Sequence, residues 1–278
     1  KPSTSKPSSK AHSGPPAAAV SVCPNNETFV LPSDADYAKE FKRLQRAVAQ
    51  PRRMGREVVV VMGVGFVGAV MAGVVADAVD AQGRPSKFVI GMQRPSPRSF
   101  WKIAYLNRGV APVEADDPEV ARMIRRCVLD KKTLTATFTY DALALADVVV
   151  VDVQCDYHKD TIGNVRQGRA DIQALEECLK IIGQKIGPDC LVLIETTVPP
   201  GTTEYVAYPI IKKEFGRRGL GDREPLLAHS FERVMPGRNY VASIRDFWRV
   251  CSGVNPEARK RVVAFLSEVL NVEKFPLT

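Results

Sequence analysis

Residues 57–68 read Glu-Val-Val-Val-Val-Met-Gly-Val-Gly-Phe-Val-Gly, an apolar β-branched run that breaks into three spaced glycines. An unbroken apolar run without alternation fits a strand covered on both faces, which is the condition of a parallel sheet sandwiched by helices. The glycine spacing then constrains the turn. Gly63 allows a tight turn, Gly65 lets the backbone approach a pyrophosphate, and Gly68 lets the next helix pack closely on the strand. Phe66 and Val67 open that helix, whose free N–H groups would face the phosphates. The same glycine spacing also occurs as a plain packing turn. Here the strand before it and the small residues after it (Ala69, Ala72, Gly73, Ala76) supply a dinucleotide-binding context.

The rest of the chain repeats the strand–helix alternation. Strands are predicted at Glu57–Met62, Phe88–Met92, Asp147–Val153, Leu191–Glu195, Pro225–Ala228 and Trp248–Cys251. Helices are predicted at Val67–Ala81, Pro118–Leu129, Asp171–Ile186, Thr203–Phe215 and Pro256–Leu270. Such alternation implies an α/β fold, a doubly wound and mostly parallel Rossmann-like sheet with helices on both faces. Residues 1–32 are expected to form a disordered basic Ser/Pro-rich tail. Residues 33–55 are expected to hold a helix and linker, opened by Ser33 or Asp34 and ended by Pro51, with the dinucleotide-binding domain over 56–278. The helix carries an apolar face of Tyr37, Phe41, Leu44 and Val48, which should pack on the domain or on a partner subunit.

Net charge is +8, with basic residues clustered in the tail and around Lys42–Arg56. A nucleic-acid surface would interleave basic and aromatic residues, and aromatics are only 7%. The surplus therefore reads as solvated surface, with attraction of a polyanionic ligand as the alternative. The six cysteines form no CxxC pair and no zinc spacing, so no metal is expected. They fit reduced thiols in a cytoplasmic protein. No apolar run reaches the ~18 residues of a membrane helix.

Candidate site residues lie where strands end, since ligands of open α/β sheets bind at the carboxyl edge. After the second strand, the position of the ribose-binding acid holds Gln93, followed by Arg94. Gln93 can hydrogen-bond a ribose hydroxyl, and Arg94 could meet a 2′-phosphate, which favours NAD and leaves NADP open. Gln154, Cys155 and His158 follow the strand at Asp147–Val153; a Cys155/His158 nucleophile pair lacks an orienting third group. The segment Glu195-Thr196-Thr197-Val198-Pro199-Pro200-Gly201-Thr202-Thr203 places Glu195 and Thr197 at the next strand end, with Thr202 or Thr203 as helix cap. Glu232, a candidate base or water-positioning group, and Arg233, a candidate anion grip, follow the strand at Pro225–Ala228.

Taken together, GVGFVG, ADVVVVDVQCD, ETTVPPGTTE and FERVMPG resemble, in order and spacing, the motifs of the UDP-glucose/UDP-N-acetylmannosamine 6-dehydrogenase family. The segments Leu106-Asn107-Arg108-Gly109 and Pro112-Val113-Glu114 add to the likeness, which covers residues 56–278. The FERVMPG and GMQR variants look closest to the branch acting on UDP-N-acetylhexosamines. The resemblance implies NAD-dependent double oxidation of a UDP-sugar C6 alcohol to the uronate, for polysaccharide precursors, by a homodimer. It implies that Gly63, Gly65 and Gly68 hold the pyrophosphate and that Glu195 borders the nicotinamide. It also implies that Thr197 and Glu232 lie near the reacting carbon, and that Arg233 seats the substrate. Gln93 and Gln154-Cys155-Asp156 depart from the family pattern, which has an acid and Pro-Thr-Pro there. The family's catalytic Lys, Asn and Cys are expected in a central helix and a C-terminal UDP-binding domain beyond residue 278. On that expectation the chain binds the dinucleotide without completing the oxidation. A non-catalytic dinucleotide-binding module and an NAD(P)-dependent oxidoreductase of the hydroxyacid dehydrogenase type are the alternatives.

Overall fold

A computed structural model describes residues 19–159 and 168–278 of the chain. The expected disorder of residues 1–18 lies outside the described residues. Residues 20–30, assigned to the tail from sequence, instead form a hairpin of β1 (Val20–Val22) and β2 (Thr28–Val30). It is anchored by buried Ser21 and Cys23, and the Cys23 Sγ accepts a 3.0 Å hydrogen bond from Tyr105. Helix α1 (Asp34–Arg53) begins at Ser33, whose N–H and hydroxyl both donate to the Asp36 carboxylate at 2.9 and 2.7 Å. Pro51 does not end it. The proline sits in the last turn, where its missing N–H forfeits one bond to the preceding turn, and the helix still continues two residues to Arg53. Leu44 and Val48 bury the apolar face of α1 on the domain itself.

The chain then winds through β3 (Glu57–Met62), α2 (Phe66–Asp77), β4 (Lys87–Met92), α3 (Trp101–Asn107) and α4 (Pro118–Arg125). Next come β5 (Leu134–Thr137), β6 (Val148–Val151), the short pair β7 (Asp156–His158) and β8 (Arg169–Asp171), α5 (Gln173–Lys185) and β9 (Leu191–Ile194). The last elements are α6 (Tyr208–Arg217), β10 (Leu226–His229), α7 (Tyr240–Arg245), β11 (Ser252–Gly253) and α8 (Pro256–Val269). Seven strands form one sheet in the order β11-β10-β9-β6-β3-β4-β5, parallel except for β11. Reading outward from β3, this is the doubly wound arrangement: one three-strand half runs through β4 to β5, the other starts at β6, and the order reverses between β3 and β6.

The strands are apolar throughout because both faces are covered. Val59, Val61, Val148, Val150, Leu191 and Leu193 face the layer containing α2, α4, α7 and α8. Val58, Val60, Met62, Val149, Val151, Val192 and Ile194 face the layer containing α1, α5 and α6. Helix α2 is buried from Gly68 to Ala76, and its small residues let it lie close on the sheet.

Four further elements differ from the sequence expectation. Strand β5, with the mixed sequence Leu-Thr-Ala-Thr, closes the sheet beside β4 and carries too short an apolar signal to be recognised. The strand expected at Trp248–Cys251 is displaced to β11; Arg249 bridges Leu277 instead. The helices expected at Pro118–Leu129 and Thr203–Phe215 are each split by a π-helical turn, at Arg126–Asp130 and Thr202–Ala207. Neither Thr202 nor Thr203 caps the latter. Gly201 is the cap residue, at φ +86°, and the Thr202 hydroxyl donates to the Pro199 carbonyl at 2.7 Å.

Asp77 ties the layer around α2 together. It is the last residue of α2, where a carboxylate opposes the helix dipole. Three cations offset that: Arg126 at 2.8 Å, Lys131 at 2.6 Å and Arg245 at 2.9 Å. Burial alone would raise its pKa, but these hydrogen bonds pull it well below the usual carboxylate range. The stability it contributes is therefore present above its unfolded-state pKa of about 4 and is lost as pH falls toward the depressed value. Asp77→Asn is expected to cost about 2 kcal/mol at neutral pH, a figure lowered for solvent screening of the partly exposed cations. The loss should shrink when urea unfolding is repeated below about pH 3.

Candidate functional site

The glycine turn has the geometry its spacing predicts. Gly63 sits at φ +96°, and a Cβ there would lie 2.6 Å from the Asp152 carbonyl oxygen. A Cβ on Gly68 would fall 1.9 Å from the Gly63 carbonyl oxygen, so helix and turn are in contact through backbone. A Cβ at Gly65 would meet no atom within 4 Å. That open space lies at the amino end of α2, where the first-turn N–H groups have no partner inside the helix. An anion fits there. Phe66 is partly exposed in that turn, and its carbonyl accepts a 2.7 Å hydrogen bond from the buried Tyr240 on α7, which fixes the angle at which α2 enters the turn. Val67 follows it into the first turn of α2.

From this turn a cleft of about 660 Å³ runs along the carboxyl edge. Gln93, Arg94, Asp152 and Gln154 line it, as does Lys102 of α3. Gln93 is held by its N–H on the Thr137 carbonyl (3.1 Å) and reaches Ser99 with its side chain (3.4 Å). Arg94 is exposed beside it. Gln154 donates to Asp156 at 2.6 Å. Lys102 escapes a sequence reading because it is brought in by α3 rather than by a strand end; burial lowers its pKa. Cys155 does not line the cleft, and burial raises its thiol pKa, which disfavours the thiolate. His158 lies on exposed β7 against Asp171 at 3.7 Å, so the two do not form a nucleophile pair.

The ends of β3, β6, β9 and β10 are in register. Met62 pairs with Val151, Val151 with Ile194, and Ile194 with His229. One step further, Gly63, Asp152, Glu195 and Ser230 form a row, joined by backbone bonds from Asp152 to Met62 (2.9 Å), Glu195 to Val151 (3.1 Å) and Ser230 to Ile194 (3.1 Å). By the two-residue period of strands, this row faces the layer containing α2. Glu195 is fully buried and ion-paired with Arg249, which is also fully buried and donates to the Ser230 hydroxyl at 3.2 Å. Sequence reading sets Glu195 at a strand end on the ligand-binding edge. The structure seals it under a guanidinium that the predicted strand at Trp248–Cys251 concealed. Burial raises the Glu195 pKa, Arg249 opposes the rise, and Glu232 adds to it.

Glu232 comes to this edge through its N–H, which donates to the Glu195 carbonyl at 3.1 Å, while its carboxylate turns back onto the Val234 N–H. Arg233 is exposed and stacks over Phe231 and Phe247, 5.6 and 6.0 Å from their centroids. Thr197 is exposed beside the row, and its neighbour Thr196 donates to the Val153 carbonyl at 2.7 Å. The two segments ETTVPPGTT and FERVMPG thus meet beside the β6 end of the cleft.

Residues 57–270 match the UDP-glucose/GDP-mannose dehydrogenase family, NAD binding domain. A UDP-N-acetyl-D-mannosamine dehydrogenase of Pyrococcus horikoshii is 30% identical over 156 residues, which is 56% of this chain and 34% of that protein. A UDP-N-acetyl-D-glucosamine 6-dehydrogenase of Pseudomonas aeruginosa is 28% identical over 174 residues, 61% of this chain and 36% of that protein. Among solved structures, an NDP-N-acetyl-D-galactosaminuronic acid dehydrogenase from Methanosarcina mazei Go1 superposes with a TM-score of 0.68 at 29% identity, covering 84% of this chain and 45% of that one. The chain spans about a third of the length of the curated relatives it matches. Among the described residues no helix is long and apolar enough to cross a membrane. With a family match over more than half its length, the chain belongs to the UDP-glucose/GDP-mannose dehydrogenase family and carries its NAD binding domain.

Proposed function

We propose that the chain serves a nucleotide-sugar dehydrogenase that oxidises the C6 hydroxyl of a UDP-sugar, of the UDP-N-acetylhexosamine kind, to the uronate for polysaccharide precursors. The observation that carries this reading is that the Glu232 N–H donates to the Glu195 carbonyl, which joins the ETTVPPGTT and FERVMPG segments on the carboxyl edge next to Asp152, a residue of the cleft that starts from the glycine turn. When bound, NAD supplies a two-electron acceptor for each of two successive oxidations, alcohol to aldehyde and aldehyde to acid, with one water consumed. In this reading Gly63, Gly65, Phe66, Val67 and Gly68 hold the pyrophosphate, Gln93 and Arg94 take the adenosine side, and Gln154 borders the middle. Thr197 and Glu232 order water beside the reacting carbon, Glu195 supports that edge from beneath, and Arg233 seats the substrate. The dinucleotide-binding unit is proposed to run from residue 56, as the family match over 57–270 supports. The protein is proposed to act in the cytoplasm, where free thiols persist, and as a homodimer, as the resemblance implies.

Two measurements test the reading. Calorimetry should show NAD binding to this chain. The full-length protein should form NADH from UDP-N-acetylglucosamine or UDP-N-acetylmannosamine faster than from UDP-glucose. Preference for UDP-glucose overturns the choice of sugar, and binding without turnover on any of the three makes the protein a binding module.

A further inference from the structure

We propose that Asp152, at the end of β6, makes the dinucleotide site selective for the oxidised, cationic cofactor and couples its binding to the release of a proton. The inference rests on the dinucleotide reading above. Placement comes first. The position that reads the adenosine ribose is at the end of β4, so the second mononucleotide half lies across the reversal, over β6, β9 and β10. Asp152 is the first side chain met there. It packs under the turn, with its Cβ 3.1 Å from where a Gly68 Cβ would stand, and it lines the cleft.

Charge comes second. Three carboxyl groups (Asp152, Glu195, Glu232) meet one guanidinium, Arg249, which is committed to Glu195 and Ser230. Glu232 has the Val234 N–H. Among the described residues neither oxygen of Asp152 has a hydrogen-bond partner, and both are closed off from solvent. The second oxygen of Glu195 and one nitrogen of Arg249 are likewise unpartnered. The other groups facing this point are Tyr240 of α7, whose hydroxyl is spent on Phe66, and the amino end of α2, which faces the open space at Gly65. His229 is directed to the Thr196 carbonyl at 3.4 Å.

A buried carboxylate with no partner takes up a proton rather than remain charged. Burial, with Glu195 and Glu232 adding to it, pushes the Asp152 carboxyl well above the usual range. A positively charged nicotinamide ring beside it supplies the missing counter-charge, and the proton leaves. The reduced ring is neutral and supplies none, so the acid stays protonated. The two redox forms of the cofactor therefore differ at Asp152 by one proton.

The test is titration calorimetry of the chain with NAD⁺ and with NADH, across about pH 6 to 9, in two buffers of different ionisation enthalpy. The wild type is expected to release up to one proton with NAD⁺, its affinity rising by up to about tenfold per pH unit below the Asp152 pKa, and to show neither effect with NADH. Asp152→Asn keeps the shape and removes the titration. It should bind both forms without proton release, with the preference shifted about tenfold toward NADH. Identical proton linkage for NAD⁺ and NADH in the wild type overturns the inference and leaves the dinucleotide reading intact; that comparison needs no variant. Binding of neither form removes the dinucleotide reading and the inference with it.

Discussion

Gly68→Ala is expected to damage the fold, and Gly65→Ala to leave the fold intact while weakening dinucleotide binding by about two orders of magnitude. At position 68 the added Cβ would overlap the Gly63 carbonyl oxygen at 1.9 Å and crowd the Asp152 Cβ at 3.1 Å. Backbone, unlike the end of a side chain, cannot swing aside. Helix α2 must therefore lift from β3, carrying its buried face from Gly68 to Ala76 with it. A loss of at least about 3 kcal/mol is expected, or a melting temperature lower by roughly 6–12 °C for a chain of this size. At position 65 the backbone is ordinary, with φ −78°, and no atom lies within 4 Å of the new methyl. Stability should change by less than about 1 kcal/mol. Yet that methyl projects into the open space proposed for the pyrophosphate, beside the first-turn N–H groups of α2. The Kd for NAD should rise by about two orders of magnitude, or about 3 kcal/mol. Thermal melting and calorimetry on both variants separate the effects. Wild-type NAD affinity in Gly65→Ala would mean that the phosphates do not lie at this turn.

That contrast marks how far the sequence could be read. The strands β3, β4, β6 and β9 are legible because burial on both faces leaves an unbroken β-branched run, and the glycine turn is legible because its backbone geometry permits no other residue at Gly63 and Gly68. Strand β5 is not, since Thr135 and Thr137 satisfy their hydroxyls on Asn107 and Glu40, partners far away in the chain. The hairpin at 20–30 owes its place to contacts with α3, such as Tyr105 on Cys23, that no local pattern announces. At the site, Gln93, Arg94 and Gln154 stand on the cleft by the carboxyl-edge rule alone. Arg249 was hidden because a lone basic residue in an apolar run looks like a strand edge. Asp152 was hidden in the opposite way, read as part of the strand it terminates. Its signal was present all the same: a carboxylate one step beyond four valines, in a strand with no solvent face.

Removing Arg249 is expected to have the second large effect, and the more informative pH dependence. Arg249→Met keeps the bulk of the side chain but leaves Glu195 fully buried beside Asp152 and Glu232 with no cation in the group. Breaking a buried pair from one side typically costs about 3–5 kcal/mol. Removing both charges with Glu195→Gln/Arg249→Met should recover most of that, because the cost lies in the stranded charge rather than in the lost contact. The sign with pH follows from the direction of the shift. Burial already raises the Glu195 pKa, and Arg249 is the main influence lowering it. Without the guanidinium the folded-state pKa rises further above its unfolded value. Stability is then retained below the unfolded pKa of about 4.3 and lost as pH climbs through the raised folded value. Urea unfolding of Arg249→Met should therefore show a larger deficit relative to wild type at about pH 8 than at about pH 5, while the double variant shows little difference between the two. An equal deficit at both pH values, with no recovery in the double variant, would mean that Arg249 stabilises this edge by packing alone, and that the acids at the ends of β6 and β9 carry no charge for it to balance.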